Sequence, residues 1–110
     1  MDNDKVILCG ANSYEQKYYY NEDFKLIPES IQEELHIICV LFTEEVGGVF
    51  MIGFDEEGKL VLITDADEED ILYDEIGAGL LAKEVTKRKQ ELFESLELFY
   101  QTFITGEGAV

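Results

Sequence analysis

The chain reads as an α+β domain, on three observations: a proline-led amphipathic stretch, two β-rich runs joined by an acidic turn, and a long carboxy-terminal region with an apolar stripe. Together they predict a small antiparallel sheet, a hairpin at 49–64 extended by a short amino-terminal strand, packed against two main helical regions. The first helix is expected from Pro28, whose fixed φ and missing N–H suit the first helical position, to Gly47-Gly48, where the left-handed region can close it. Between them Ile31, Leu35, Ile38, Phe42 and Val46 recur at spacings of three and four, with Glu29, Gln32, Glu33, Glu44 and Glu45 on the polar face. The run from Ile37 to Phe42 is rich in strand formers, and length and flanking caps decide for helix.

The hairpin follows as Val49 to Phe54 and Lys59 to Thr64, with Gly58 placed for the positive φ that ends a type I turn with a bulge. Neither run alternates between apolar and polar residues, so either both faces are expected to be covered or one is covered by another subunit. From residue 68 a second helical region is expected to run to 104. Asp67, Glu68, Glu69 and Asp70 sit at its positive dipole end, and Ile76, Leu80, Val85, Leu92, Leu96, Phe99 and Phe103 form its stripe. Gly77-Ala78-Gly79 is read as a kink, a break or a close backbone passage. Nearer the amino terminus, residues 5–9 read as a strand and Gly10-Ala11-Asn12 as a turn. Ser13 with Gln16 reads as a capping box, Tyr18-Tyr19-Tyr20 as either helix or strand, and Phe24, Leu26 and Ile27 as docking residues.

At 110 residues, 46% hydrophobic, a single domain over 1–110 is expected, able to bury about two thirds of its surface. The 25 acidic against 8 basic residues give a net charge of -17, which argues against direct nucleic-acid binding and against an anionic membrane. The start is acidic and the run from Val6 to Cys9 is too short for a signal core or a span, so a cytoplasmic location is expected.

The residues that could carry chemistry are few. His36 and Cys39 stand three apart on the expected helix, as two zinc ligands can, but nothing completes a four-ligand set. Cys9 and His36 could pair as nucleophile and base, without a third orienting group. Cys9 and Cys39 are read as isolated thiols, and a disulfide between them has no supporting framework. Asp65 to Asp70 alternates like a calcium loop, yet Asp70 stands where glycine is needed and Ile76 where the closing glutamate belongs. Lys83, Lys87, Arg88 and Lys89 form a local basic island, read as answering the acidic block from Asp65 to Glu75 rather than gripping a phosphate. Tyr18, Tyr19, Tyr20, Tyr73 and Tyr100 are read as anchors at the core edge. No phosphate loop, dinucleotide fingerprint or nucleophile elbow is present, so no catalytic, cofactor-binding or metal-ligating residue is assigned and an enzyme is the less favoured class.

The segments Leu8 to Tyr19, Leu41 to Gly48 and Glu91 to Glu97 together resemble a family of short acidic bacterial proteins of unknown function. That resemblance implies no activity, ligand or site residue. The order helix, hairpin, helix is also similar to part of the roadblock-type dimerisation fold, without a shared motif. Surplus apolar surface then favours a non-catalytic interaction or adaptor module acting as a homodimer with a further protein partner. The alternatives are an acidic mimic that inhibits a DNA- or RNA-binding protein, and a small ligand-binding domain or enzyme using Cys9, His36 or the tyrosines.

Overall fold

The computed structural model describes residues 5–104; the acidic start read at residues 1–4 and residues 105–110 lie outside the described residues. The expected α+β architecture is present as a four-stranded antiparallel sheet and three α-helices. Strand β1 (Val6–Asn12) is followed by β2 (Lys17–Tyr20), helix α1 (Glu29–Val46), strands β3 (Val49–Phe54) and β4 (Leu60–Asp65), then helices α2 (Glu75–Arg88) and α3 (Gln90–Phe99). The sheet order is β2-β1-β3-β4.

The hairpin of β3 and β4 forms where the sequence places it. The Asp55 carboxylate accepts from the backbone N–H groups of Glu57 and Lys59, each at 2.9 Å, and Gly58 closes the turn at φ +81°. Helix α1 also matches, with Pro28 at the cap rather than inside the first turn. Gly47, at φ +76°, donates its N–H to the Thr43 carbonyl at 2.8 Å and ends it. Leu35, Ile38, Cys39 and Phe42 are buried, whereas Ile37 and Leu41 from the strand-like run face outward.

The amino-terminal segment departs from expectation. Gly10, Ala11 and Asn12 are not a turn but continue β1, and the turn comes at 13–16, where Asn12 Oδ1 accepts from the N–H of Tyr14 at 2.9 Å and of Glu15 at 3.2 Å. Gly10 is small for packing, not for turning: a Cβ there would lie 2.7 Å from Met51 Cγ, because the Met51 side chain crosses it. Ser13 and Gln16 therefore sit in a hairpin turn instead of capping a helix, and Tyr18-Tyr19-Tyr20 is strand. The Ser13 hydroxyl donates to the Gly48 carbonyl at 2.8 Å and ties this turn to the end of α1. A 3-10 turn at Glu22–Phe24 follows, capped by Asn21. Phe24 and Ile27 dock as expected, but Leu26 is 75% exposed.

The carboxy-terminal region starts later and breaks elsewhere. Residues 66–74 are turns, Ile71 and Leu72 lie open to solvent, and α2 begins only where Asp74 caps it by accepting from the Gly77 N–H at 3.0 Å. Gly77 and Gly79 lie within α2; a Cβ on Gly77 would meet the capping carboxylate at 2.5 Å, so that glycine serves the cap rather than a kink. The break falls at Lys89, between α2 and α3, and a π-helical turn at Tyr100–Ile104 extends α3. The single stripe read across 68–104 thus belongs to two helices. Ile76 and Leu80 face solvent, and α2 instead buries Ala78 and packs Leu81, Ala82 and Val85 against the core, while α3 buries Phe93 and Leu96.

Strand register sorts the side chains onto two faces. Val6, Cys9, Ala11, Tyr18, Tyr20, Phe50, Ile52, Phe54, Leu60 and Leu62 share the face on which the helices lie. The register of β1 shifts between Ile7 and Cys9, so Leu8 has no cross-strand partner and is buried along with Cys9. Ring stacking fastens the layers: Phe42 on Phe50 at 4.0 Å between centroids, Tyr100 on Phe54 at 4.3 Å, and Phe24 on Phe54 at 5.8 Å.

Gly58→Ala is expected to lower stability by about 1–2 kcal/mol, since an L-residue is strained in the left-handed region; its Cβ would also sit 3.1 Å from the Gln101 side chain. The shift in urea midpoint at unchanged m-value measures it.

Candidate functional site

The helix-side face of the sheet brings together the polar groups that the sequence leaves scattered. Cys9 comes from the middle of β1 and Cys39 from the inner face of α1, and their sulfurs lie 3.7 Å apart, both thiols free and wholly buried. Burial at both positions follows from patterning: β1 is the second strand of the sheet, and Cys39 directly follows Ile38 on the apolar stripe of α1. Above them stands Tyr18 of β2, with its hydroxyl buried and without a hydrogen-bond partner. Its ring stacks on His36, centroids 4.0 Å apart and planes 15° from parallel. Two depressions flank this stack, one of about 450 Å³ lined by Asn12, Lys17, Tyr18, His36 and Thr43, the other of about 310 Å³ lined by Tyr18, Tyr20, Gln32 and His36.

The electrostatics follow from this burial. The hydrogen bond with Cys9 and then desolvation push the Cys39 thiol far up, so it stays protonated. Burial, followed by the negative charge that Cys9 and Cys39 would carry, raises Tyr18 strongly, and burial with the Cys9 charge pushes Tyr20 up to about 12. The cluster so formed holds Cys39, Tyr18 and Tyr20 neutral. It is not a base–nucleophile pair: the polar neighbour of Cys9 is a second thiol, and the exposed His36 engages an aromatic face. Nor do His36 and Cys39 point the same way, since Cys39 is turned into the core. The signal that sequence reading lacked is the long-range contact of β1 with α1, 30 residues apart in the chain.

The charged segments resolve locally. Asp70 accepts from the Tyr14 hydroxyl at 2.7 Å, and among the described residues no three His, Cys, Asp or Glu side chains gather as a metal ion needs. Within one copy, and among the described residues, the basic island pairs elsewhere than with the block from Asp65 to Glu75: Arg88 pairs with Glu84 on its own helix, and Lys89 reaches Glu34 of α1 at 2.8 Å. Lys83 and Lys87 rim a groove of about 520 Å³ floored by Leu60, Leu62 and Phe93. Of the tyrosines, Tyr100 is buried, Tyr18, Tyr20 and Tyr73 pack at the core edge, and Tyr19 is 56% exposed.

The sheet face away from the helices is a charge-poor surface. Rows across it read Tyr19-Gly10-Met51-Ile63 and Ile7-Gly53-Val61. No helix packs on this side, and Ile7, Met51, Val61 and Ile63 remain partly exposed. Met51 lies over Gly10 and Ile7 over Gly53, which levels the patch. Charged residues border it at one end, as Lys17 and Asp65 flanking Asn12 and Val49. Among the described residues no helix is long and apolar enough to cross a membrane.

Stability is expected to fall in alkali. The folded state holds Cys39, Tyr18 and Tyr20 neutral, so their contribution is full below the ordinary values of 9.0 and 10.0 and is lost as pH rises toward the folded ones. Melting temperature followed by circular dichroism from pH 8 to 12 checks this; a flat profile to pH 11 contradicts it.

Comparison with known proteins gives one family match, over residues 5–108, described as a family of unknown function (DUF6145). No curated protein and no solved structure matches the chain.

Proposed function

From the premise that the chain belongs to the DUF6145 family, which brings no activity with it, we propose that this protein is a non-catalytic protein-interaction module that acts as a homodimer. The observation that carries this reading is the open face of the sheet, an apolar patch of Ile7, Tyr19, Met51, Val61 and Ile63 on a chain of net charge -17. A second copy fits it because the patch is one of few places where two such acidic molecules can meet without confronting carboxylates. Strands apolar on both sides have the same cause: one side serves the chain's own core and the other serves a neighbour.

Size sets the strength. Four strands about 4.8 Å apart and about six residues long span on the order of 400 Å². That is below the roughly 800 Å² per partner of a standard interface, so the dimer is expected to dissociate in the micromolar range. Such an affinity suits a module that exchanges its own copy for a further partner on the same face.

Light scattering across a concentration series is expected to show a mass rising from 12.6 kDa toward twice that value, and Met51→Glu is expected to hold it at the lower one. A mass fixed at one copy up to several hundred micromolar overturns the homodimer. Unchanged association by Met51→Glu and Ile63→Glu would move the interface off the open face.

A further inference from the structure

The two thiols inside the molecule serve no packing purpose that two small apolar residues would not serve as well. Their placement is particular: one stands on a central strand, the other on the helix that crosses it, with the sulfurs 3.7 Å apart and no other polar side chain hydrogen-bonded to either. We propose that Cys9 and Cys39 are a redox site, a dithiol that closes to an intramolecular disulfide when a small peroxide reaches it, and so fastens β1 to α1.

The step balances with hydrogen peroxide as the oxidant. The Cys9 sulfur attacks one peroxide oxygen, the O–O bond breaks, and one water leaves as Cys9 becomes a sulfenic acid. The Cys39 sulfur then displaces the hydroxyl from Cys9, the S–S bond forms, and a second water carries away the proton of Cys39. Two thiols lose two electrons, and the peroxide gains them.

Position assigns these parts. Cys9 acts first because it lies on β1 directly opposite Tyr20 of the edge strand, and Cys39 second because it lies on α1, hydrogen-bonded to Cys9; both are fully enclosed. The route inward passes Tyr18. Its side chain lines both surface depressions, on the shortest strand of the sheet and at its edge, where backbone opening is least resisted. From outside the Tyr18 ring is held by the stack on His36. The closed thiol pair is thus protected while the edge is shut and becomes reactive when it opens. The bond formed would close a loop of about 30 residues, long enough to raise the melting temperature by roughly 10 °C or more.

The test uses the full chain, freed of reductant and treated with hydrogen peroxide, its intact mass read under denaturing, non-reducing conditions. The expected product has lost two hydrogens and both titratable thiols, remains a single chain, melts higher, and reverts with dithiothreitol. Tyr18→Ala is expected to speed its formation about tenfold or more, while Tyr18→Phe, which keeps the ring, leaves the rate unchanged. In Cys9→Ser and Cys39→Ser no disulfide can form within the chain, and the peroxide-dependent rise in melting temperature is expected to vanish. Both thiols surviving peroxide in the native protein, their separate conversion to sulfinic acids, or a disulfide form that melts lower than the dithiol would each overturn the proposal. A solvent-opened Tyr18→Ala chain that still forms no disulfide would do so as well, independently of the access route.

Discussion

The inward row of β3, Phe50, Ile52 and Phe54, is the interaction on which the rest of the molecule depends. All three are wholly buried, and five parts of the fold meet at them: α1 by the Phe42 ring, the carboxy-terminal turn by Tyr100, the 22–27 segment by Phe24, and β1 and β4 by direct pairing on either side. A buried phenylalanine removes on the order of 150–250 Å² from water, and truncating one costs about 3–5 kcal/mol. Surface charge contributes little beside this. Arg88–Glu84 is solvent-exposed and Lys89–Glu34 only partly shielded, the class of pair whose net worth is about 0–1 kcal/mol. A chain with 25 acids therefore folds in spite of its charge, through one strand's aromatic side chains.

How legible each element was depends on how local its cause is. The β3–β4 hairpin and α1 were readable because their determinants lie inside them: Asp55 and Gly58 shape one turn, and Pro28 and Gly47 bracket the other element. The β1–β2 hairpin was not, because Gly10 is set by Met51, a residue 41 positions away that crosses it, and a glycine placed for packing looks the same in sequence as one placed for turning. The late start of α2 hinges on which of several acids caps it, and Asp74 prevails over Asp67 to Asp70 through its contact with the Gly77 N–H. The break at Lys89 carries neither glycine nor proline, so the spacing of Val85, Leu92 and Phe99 read as one helix when it spans two. The dithiol was invisible for the same reason: periodicity marks both cysteines as inward-facing but says nothing about which strand passes beneath which turn of the helix.

The sheet divides the molecule's chemistry as well as its packing. One side holds Cys9, Cys39 and the buried Tyr18 hydroxyl, together with the three α-helices. The other is nearly free of charge and bears no helix. The two faces are one residue apart along β1, since Gly10 belongs to the open side and its neighbours Cys9 and Ala11 to the closed one. A change in how firmly β1 is held from one side is therefore felt by the surface on the other, without any longer path between them.

The unpaired Leu8 gives this arrangement a further property. Because one residue of β1 stands outside the cross-strand ladder, the strand's beginning and its remainder are phased separately: Val6 and Ile7 alternate on one count, Cys9 to Asn12 on another. Loss of Leu8 would bring the two counts into line, with Val6 still opposite Phe54, Ile7 opposite Gly53 and Cys9 opposite Ile52, so every other facing along β1 would be kept. A β1 shorter by that one residue would thus lose a buried leucine and keep both the outer patch and the enclosed sulfurs in place.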